Sequence, residues 1–137
     1  MKNIILSIRP KFVEKILTGE KTFEYRKKLP EEKIDAGSAI TGCGPAFVCL
    51  LIEAMTDAGI RLGLPRDKAM LFAEQTFLGT AKLALDTKTE PSILRGAVCS
   101  PAGSTIEGIA ALERLGARNA IFEAVSAAYK KTLELGA

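Results

Sequence analysis

Apolar residues recur at helical spacing from Gly44 to the end of the chain, whereas the first quarter is patterned differently. Residues 46–62 are apolar on nearly all sides apart from one polar stripe, which predicts a largely buried helix. Gly63 ends this helix and Pro65 begins the next. The remaining pattern predicts four more helices, over residues 66–86, 91–98, 105–115 and 117–135.

Small side chains along residues 66–86 would let a second helix approach closely. They are Ala69, Ala73, Thr76, Gly79, Thr80 and Ala84.

The first quarter of the chain has a strand-like pattern. Residues 4–8 form a short apolar run, Pro10 begins a helical pattern that Gly19 ends, and residues 22–25 alternate as a second strand would. A strand–helix–strand segment of about thirty residues cannot bury a core by itself. We therefore predict a mainly α fold, a multi-helix bundle with a short N-terminal strand–helix–strand segment.

Composition and charge agree with a folded protein of ordinary single-domain size. The chain has 137 residues, 47% of them hydrophobic and 26% charged, with a net charge of +3. The excess of basic residues lies in residues 1–34, and the remainder is nearly neutral. The longest apolar run, residues 46–52, stops at Glu53, and the N-terminal apolar stretch is too short for a signal peptide. We expect a cytoplasmic protein with no membrane or nucleic-acid partner.

Residue types limit the chemistry that is available. The chain has three cysteines, Cys43, Cys49 and Cys99, in no metal-ligand spacing, and no histidine. We therefore expect neither a metal site nor a nucleophile that is activated by histidine.

Residues 99–108, CSPAGSTIEG, carry the strongest candidate site. Ser104 and Glu107 have the S-x-x-E spacing of a capping box, which predicts Ser104 as the N-cap of a helix. Gly103 would allow a ligand to approach the backbone, where free N–H groups and the helix dipole favour an anion. By spacing alone, this segment is either a well-capped surface helix or the binding site of a small carboxylate or phosphate.

A second glycine-containing helix start, TGCGPAF at residues 41–47, resembles a phosphate loop only superficially. Phe47 stands where a dinucleotide fingerprint needs its third glycine, and no βαβ pattern surrounds the segment. We interpret it as a tight helix entry.

The segment GEKTFEYR, with Gly19, Lys21, Glu24 and Arg26, resembles the signature that opens ASCH domains, small barrels related to RNA-binding folds. The resemblance covers residues 1–28 and implies an RNA or ligand cleft, whereas a solvated basic hairpin is the structural alternative. We assign residues 1–34 to this fragment and to a junction.

Three segments in order closely resemble the C-terminal helical domain of pyrroline-5-carboxylate reductases. They read ITGCGPAFVCLLIEAMTDAGIRLGLPRDKA, AEQTFLGTAKLAL and LRGAVCSPAGSTIEGIAALE. The resemblance implies that residues 35–137 form a helical dimerisation and substrate-binding domain, and therefore a homodimer. That family reduces 1-pyrroline-5-carboxylate to L-proline with NADPH or NADH.

The same resemblance implies which residues hold the substrate. Ser100, Gly103, Ser104 and Thr105 would bind the imino acid or proline, with Thr105 as the catalytic hydroxyl that polarises the imine. Ala102 stands where many family members have glycine. A cofactor-binding Rossmann domain is not recognisable in the sequence, so we expect no cofactor bound by this chain and no independent catalysis. A module that pairs with full-length reductase subunits is the alternative.

Overall fold

The computed structural model describes the backbone of residues 31–136 and the side chains of residues 33–135. The described chain consists of six α-helices: α1 (Glu31–Thr41), α2 (Gly44–Arg61), α3 (Arg66–Thr87), α4 (Pro91–Ala97), α5 (Ser104–Arg114) and α6 (Ala117–Gly136). The mainly α prediction is confirmed for these residues. The predicted strand–helix–strand segment lies outside them.

Helix α1 was not predicted from the sequence. It is joined to α2 by only two residues, Gly42 and Cys43, and the Gly42 N–H donates to the Ser38 carbonyl at 2.8 Å. The Thr41 hydroxyl donates to the Gly37 carbonyl at 3.0 Å, so a second backbone carbonyl near the end of α1 has a hydrogen-bond partner. Residues 41–47 are thus the end of one helix and the start of another.

Helices α2 to α6 match the five predicted helices to within two residues at each end, because glycine and proline mark their boundaries. At the end of α2, Gly63 has a φ of 98°, its N–H donates to Ile60, and the Leu64 N–H donates to the Gly59 carbonyl at 3.1 Å. These two hydrogen bonds form a Schellman motif, which requires a left-handed residue. Gly116, with a φ of 75°, separates α5 from α6 in a similar way.

Helices α2 and α3 cross where both carry small residues. Ala69 and Ala73 of α3 are each 3% exposed, and Thr56 of α2 is also buried. A Cβ placed on Gly59 would lie 3.1 Å from the Ala69 Cβ, so the two backbones approach closely. The Thr56 hydroxyl donates to the Ile52 carbonyl at 2.8 Å, which removes the cost of burying it. The predicted close crossing is confirmed in the first half of α3.

The described residues form parts of two compact units. One consists of Ala46–Phe122, and the other includes α1 and the chain from Glu123 onwards. Across the described residues, the only buried apolar side chains are the alanines 39, 69 and 73, and no large side chain is fully buried.

Helix α2 is therefore mostly exposed in the single chain, where Leu50, for example, is 63% exposed, so the burial predicted for this helix is not provided by one chain. We define the apolar face by the exposed large residues of α2 and α3: Val48, Leu50, Leu51, Met55, Met70, Leu71, Phe72, Leu78, Leu83 and Leu85.

One stretch, Lys33–Arg61, is long and apolar enough to cross a membrane by length and composition, contrary to the expectation from residues 46–52 alone. Only 11% of its most apolar window is buried. A helix from the core of a soluble protein passes the same test, so this stretch is weak evidence for a membrane location.

Candidate functional site

The four residues before α5 form a tight hydrogen-bonded turn. The Gly103 N–H donates to the Ser100 carbonyl at 3.0 Å, with Pro101 and Ala102 between them. Ala102 has a φ of 54°, in the left-handed region. A proline at the second position and a positive φ at the third define a type II turn, which ordinarily has glycine there. The backbone therefore holds Ala102 in a conformation that costs an L-residue about 1–2 kcal/mol.

The predicted capping box is wrong in its register. Gly103, with φ −80° and ψ 162°, is the N-cap of α5, and Ser104 is the first helical residue. No side chain caps this helix. A capping box would need Ser104 at the N-cap and a glutamate reaching back to the N-cap N–H. Here that N–H belongs to Gly103 and is already donated to Ser100, so Glu107 lies in the first turn without a capping role.

The start of α5 presents several donors with no partner inside the helix. The Gly103 carbonyl accepts the Glu107 N–H at 3.4 Å, so the N–H groups of Ser104, Thr105 and Ile106 precede the first helical hydrogen bond. The side chains of Ser104 and Thr105 are exposed beside them. Backbone donors, two hydroxyls and the positive end of the helix dipole thus meet at one exposed place, the arrangement that binds small anions.

Gly103 also brings Ser100 to this helix start. A Cβ on residue 103 would collide with the Ser100 Oγ and would lie 3.1 Å from the Ser100 carbonyl oxygen. The Ser100 hydroxyl therefore occupies the space that any other residue at position 103 would need. All four predicted site residues, Ser100, Gly103, Ser104 and Thr105, lie in this turn and in the first two residues of α5.

A cluster of charged residues that sequence reasoning missed joins the helices on both sides of α5. Glu113, in the last turn of α5, accepts hydrogen bonds from Nε and Nη2 of Arg118 in α6. Its Oε1 also lies 3.8 Å from Nη1 of Arg95 in α4. Hydrogen bonding from Arg118 holds the pKa of the Glu113 carboxyl below its ordinary value, and the charge of Arg95 also lowers it. The five-residue spacing of Glu113 and Arg118 is no standard helical pair, so the sequence carried no signal for this cluster.

The glycine-containing start of α2 does not have the form of a dinucleotide-binding turn. Gly42 precedes α2, but its N–H is already donated to Ser38, and the element before it is a helix and not a strand. A dinucleotide site needs a glycine-rich turn between a strand and a helix, with free N–H groups facing the pyrophosphate. No group of three metal-ligating side chains occurs within residues 33–135, and the three cysteines are free.

Comparison with known proteins identifies the helical part of the chain. Residues 31–135 match the family described as pyrroline-5-carboxylate reductase dimerisation. A pyrroline-5-carboxylate reductase of Synechocystis is 49% identical over 109 residues, which are 80% of this chain and 41% of the relative. The reductase of Schizosaccharomyces pombe is 41% identical over 92% of this chain and 43% of its own length.

Solved structures agree with these sequence matches. A Plasmodium falciparum pyrroline carboxylate reductase with NADP bound superposes with a TM-score of 0.76 at 33% identity, covering 80% of this chain and 42% of that protein. A Coxiella burnetii reductase gives a TM-score of 0.75 at 38% identity, covering 78% and 40%.

The chain spans less than half the length of these relatives. None of the matches supports the ASCH-like interpretation of residues 1–28, and the S. pombe alignment, 126 residues long, extends well before Glu31. The family match covers most of the chain in one continuous stretch. The chain belongs to the pyrroline-5-carboxylate reductase dimerisation family.

Proposed function

We propose that this chain forms the dimerisation and substrate-binding part of a pyrroline-5-carboxylate reductase, with the substrate carboxylate held at the start of α5. The observation that carries this proposal is the group of unpartnered N–H donors of Ser104, Thr105 and Ile106, directly after the turn that brings the Ser100 hydroxyl beside Gly103. Residues 99–108 contain no lysine or arginine. The charge of a bound carboxylate would therefore be balanced by backbone donors, hydroxyls and the helix dipole.

In this proposal, each hydroxyl of the site has a separate role. Ser100 and Ser104 donate to the carboxylate, and the Thr105 hydroxyl donates to the ring nitrogen of the cyclic imine. A donor at that nitrogen draws electron density from the C=N bond and stabilises charge as the bond is reduced. Gly103 allows the carboxylate to approach the backbone.

The reduction itself requires a nicotinamide cofactor, and the described residues show no turn of the dinucleotide-binding form. We infer that NADPH or NADH is bound by a part of a reductase other than residues 31–136. The purified chain should therefore bind the imino acid without turning it over. The sequence motifs alone place the start of the reductase-like part near residue 35; we place it no later than residue 31, where the family match begins.

We further propose that the chain is soluble, cytoplasmic and dimeric through its apolar face. A second candidate role uses the same face, because a surface that pairs two copies also fits the corresponding domain of a full-length reductase. Native mass spectrometry of the chain mixed with the Synechocystis reductase distinguishes the two roles. A mixed dimer supports a regulatory module, and its absence removes that alternative.

Ligand titration of site variants tests the substrate site. L-proline, the product of the proposed reaction, is titrated into the wild type, Thr105→Val and Ser104→Ala while amide resonances are followed by NMR. Removal of one hydrogen bond to a charged or polarised group should weaken binding by about tenfold, or about 1.4 kcal/mol.

Thr80→Val serves as a matched control, because it removes an exposed hydroxyl from α3, away from this helix start. Binding equal to wild type in both site variants would contradict the assignment.

A further inference from the structure

The short connection between α4 and α5 contains the turn of the proposed site, and an ion pair joins the two helices. Residues 98–103 connect the two helices, and neither helix buries a residue. Leu94 of α4 and Ile109 of α5 are half-buried, so the apolar packing of these two helices is incomplete within the described residues. Among the described residues, one side-chain ion pair joins α4 to α5, between Arg95 and Glu113.

Arg95 lies close to the site along the chain. It is in the last turn of α4, and its carbonyl accepts the Val98 N–H at 3.3 Å at the start of the connection. The connection then leads through Cys99, whose N–H donates to Gly96 at 3.1 Å, to the turn at Ser100. Arg95 is thus five residues before Ser100, along a connection whose first part is held by these two backbone hydrogen bonds.

Glu113 is itself fixed from the other side. Arg118 of α6 donates two hydrogen bonds to its carboxylate, and such paired bonds orient a carboxylate more strongly than a single contact. The carboxylate therefore has a defined place from which to attract Arg95. All three side chains are about half exposed, so we expect the cluster to make a small contribution to stability.

We propose that Glu113 and Arg95 are positioning residues for the carboxylate-binding turn. Their ion pair fixes the end of α4, and thereby the position of Ser100 relative to the start of α5. The inference rests on the proposed function for its ligand. Its structural part, the placement of the turn, does not depend on any ligand. Neither residue touches the proposed ligand site, so both act through the backbone of residues 98–103.

The test combines four substitutions in the full chain with two readouts. Arg95→Met removes the ion pair with Glu113, and Arg95→Lys keeps the positive charge. Arg118→Met leaves that ion pair but removes the hydrogen bonds that orient the Glu113 carboxylate. Lys82→Met breaks an exposed ion pair within α3 and is the control. The readouts are the amide chemical shifts of Ser104 and Thr105 without ligand, and the L-proline dissociation constant.

Arg95→Met should move both amide resonances and weaken L-proline binding by about two- to fivefold, the range that one exposed ion pair can supply. Arg95→Lys should restore most of the affinity, and Arg118→Met should have an intermediate effect. Lys82→Met should change neither readout. Equal behaviour of Arg95→Met and Lys82→Met overturns the proposal. If the wild type binds no L-proline, the proposed function fails, while the ligand-free amide shifts still decide whether the pair positions the turn.

Discussion

Ala102 is the residue at which backbone conformation and residue type disagree. Its φ of 54° belongs to a turn position that favours glycine, and the hydrogen bond from Gly103 to Ser100 depends on that turn. In a type I turn, the peptide between Pro101 and Ala102 faces the other way, which would give Ala102 a negative φ and relieve the strain. This change would also alter the direction of the Ala102 N–H beside the proposed site.

The substitution Ala102→Gly should therefore stabilise the protein. Relief of the left-handed conformation gains about 1–2 kcal/mol, and the greater freedom of glycine in the unfolded chain takes back about 0.4–1 kcal/mol. We expect a net increase of about 1 kcal/mol in the free energy of unfolding, measured with urea. Ala81→Gly in the interior of α3 is the matched control and should lower it by about 1 kcal/mol. Destabilisation by Ala102→Gly would show that the turn is not strained.

At the scale of the helices, glycine and proline made most boundaries predictable, and the exceptions have physical causes. Gly63, Pro65, Pro91 and Gly116 all act where the sequence pattern placed them. The start of α5 was placed one residue too late because the Ser104–Glu107 spacing imitates a capping box. A turn hydrogen bond from Ser100 occupies the N–H that such a box would need.

Helix α1 was not predicted because only two residues separate it from α2, and because its first residues lie in the segment that the sequence assigned to a junction. That the four residues of the proposed site lie together was predictable, since all four fall within six consecutive positions. The sequence could not reveal the positive φ of Ala102 or the pairing of Glu113, because both depend on how the chain folds around them.

The crossing of α2 and α3 gives a prediction at this scale. A valine at position 59 would place its Cβ 3.1 Å from the Ala69 Cβ and 3.4 Å from the Leu64 Cδ1, with two more methyl groups beyond. Gly59→Val should lower the free energy of unfolding by about 1–3 kcal/mol through overpacking.

The control for this substitution is Gly108→Val in α5, where a Cβ meets nothing within 4 Å. This variant should be close to neutral, because valine has a slightly higher helix propensity than glycine. Equal losses in the two variants would show that the cost does not come from the close approach at the crossing.

The cluster around Glu113 predicts a dependence of stability on pH. Because Arg118 lowers the pKa of Glu113 in the folded state, the cluster stabilises the protein above the ordinary carboxyl pKa of 4.5. The contribution is lost as the pH falls through the lower, folded-state pKa. The difference in free energy of unfolding between wild type and Glu113→Gln should therefore favour wild type at neutral pH and shrink in acid. A difference that stays constant across this range would exclude the linkage.

At the scale of the whole molecule, the described residues leave a large apolar surface exposed. Within residues 33–135, the chain buries no large side chain completely, while ten large apolar residues of α2 and α3 remain exposed. Apolar surface left in water costs about 25 cal/mol per Å². The homodimer that we propose, which the match to a dimerisation family supports, would remove this cost.

Sedimentation analysis should therefore find the purified chain as a dimer, with an apparent stability that rises with protein concentration. Leu50→Glu places a charge in the middle of the apolar face and should shift the population towards monomer or unfolded chain. Ser92→Glu, on the exposed first turn of α4, adds the same charge outside that face and should remain dimeric. A monomer in the wild type, stable at low concentration and with the helix content unchanged, would mean that one chain tolerates its apolar face in water. The dimer would then no longer be needed to explain the fold.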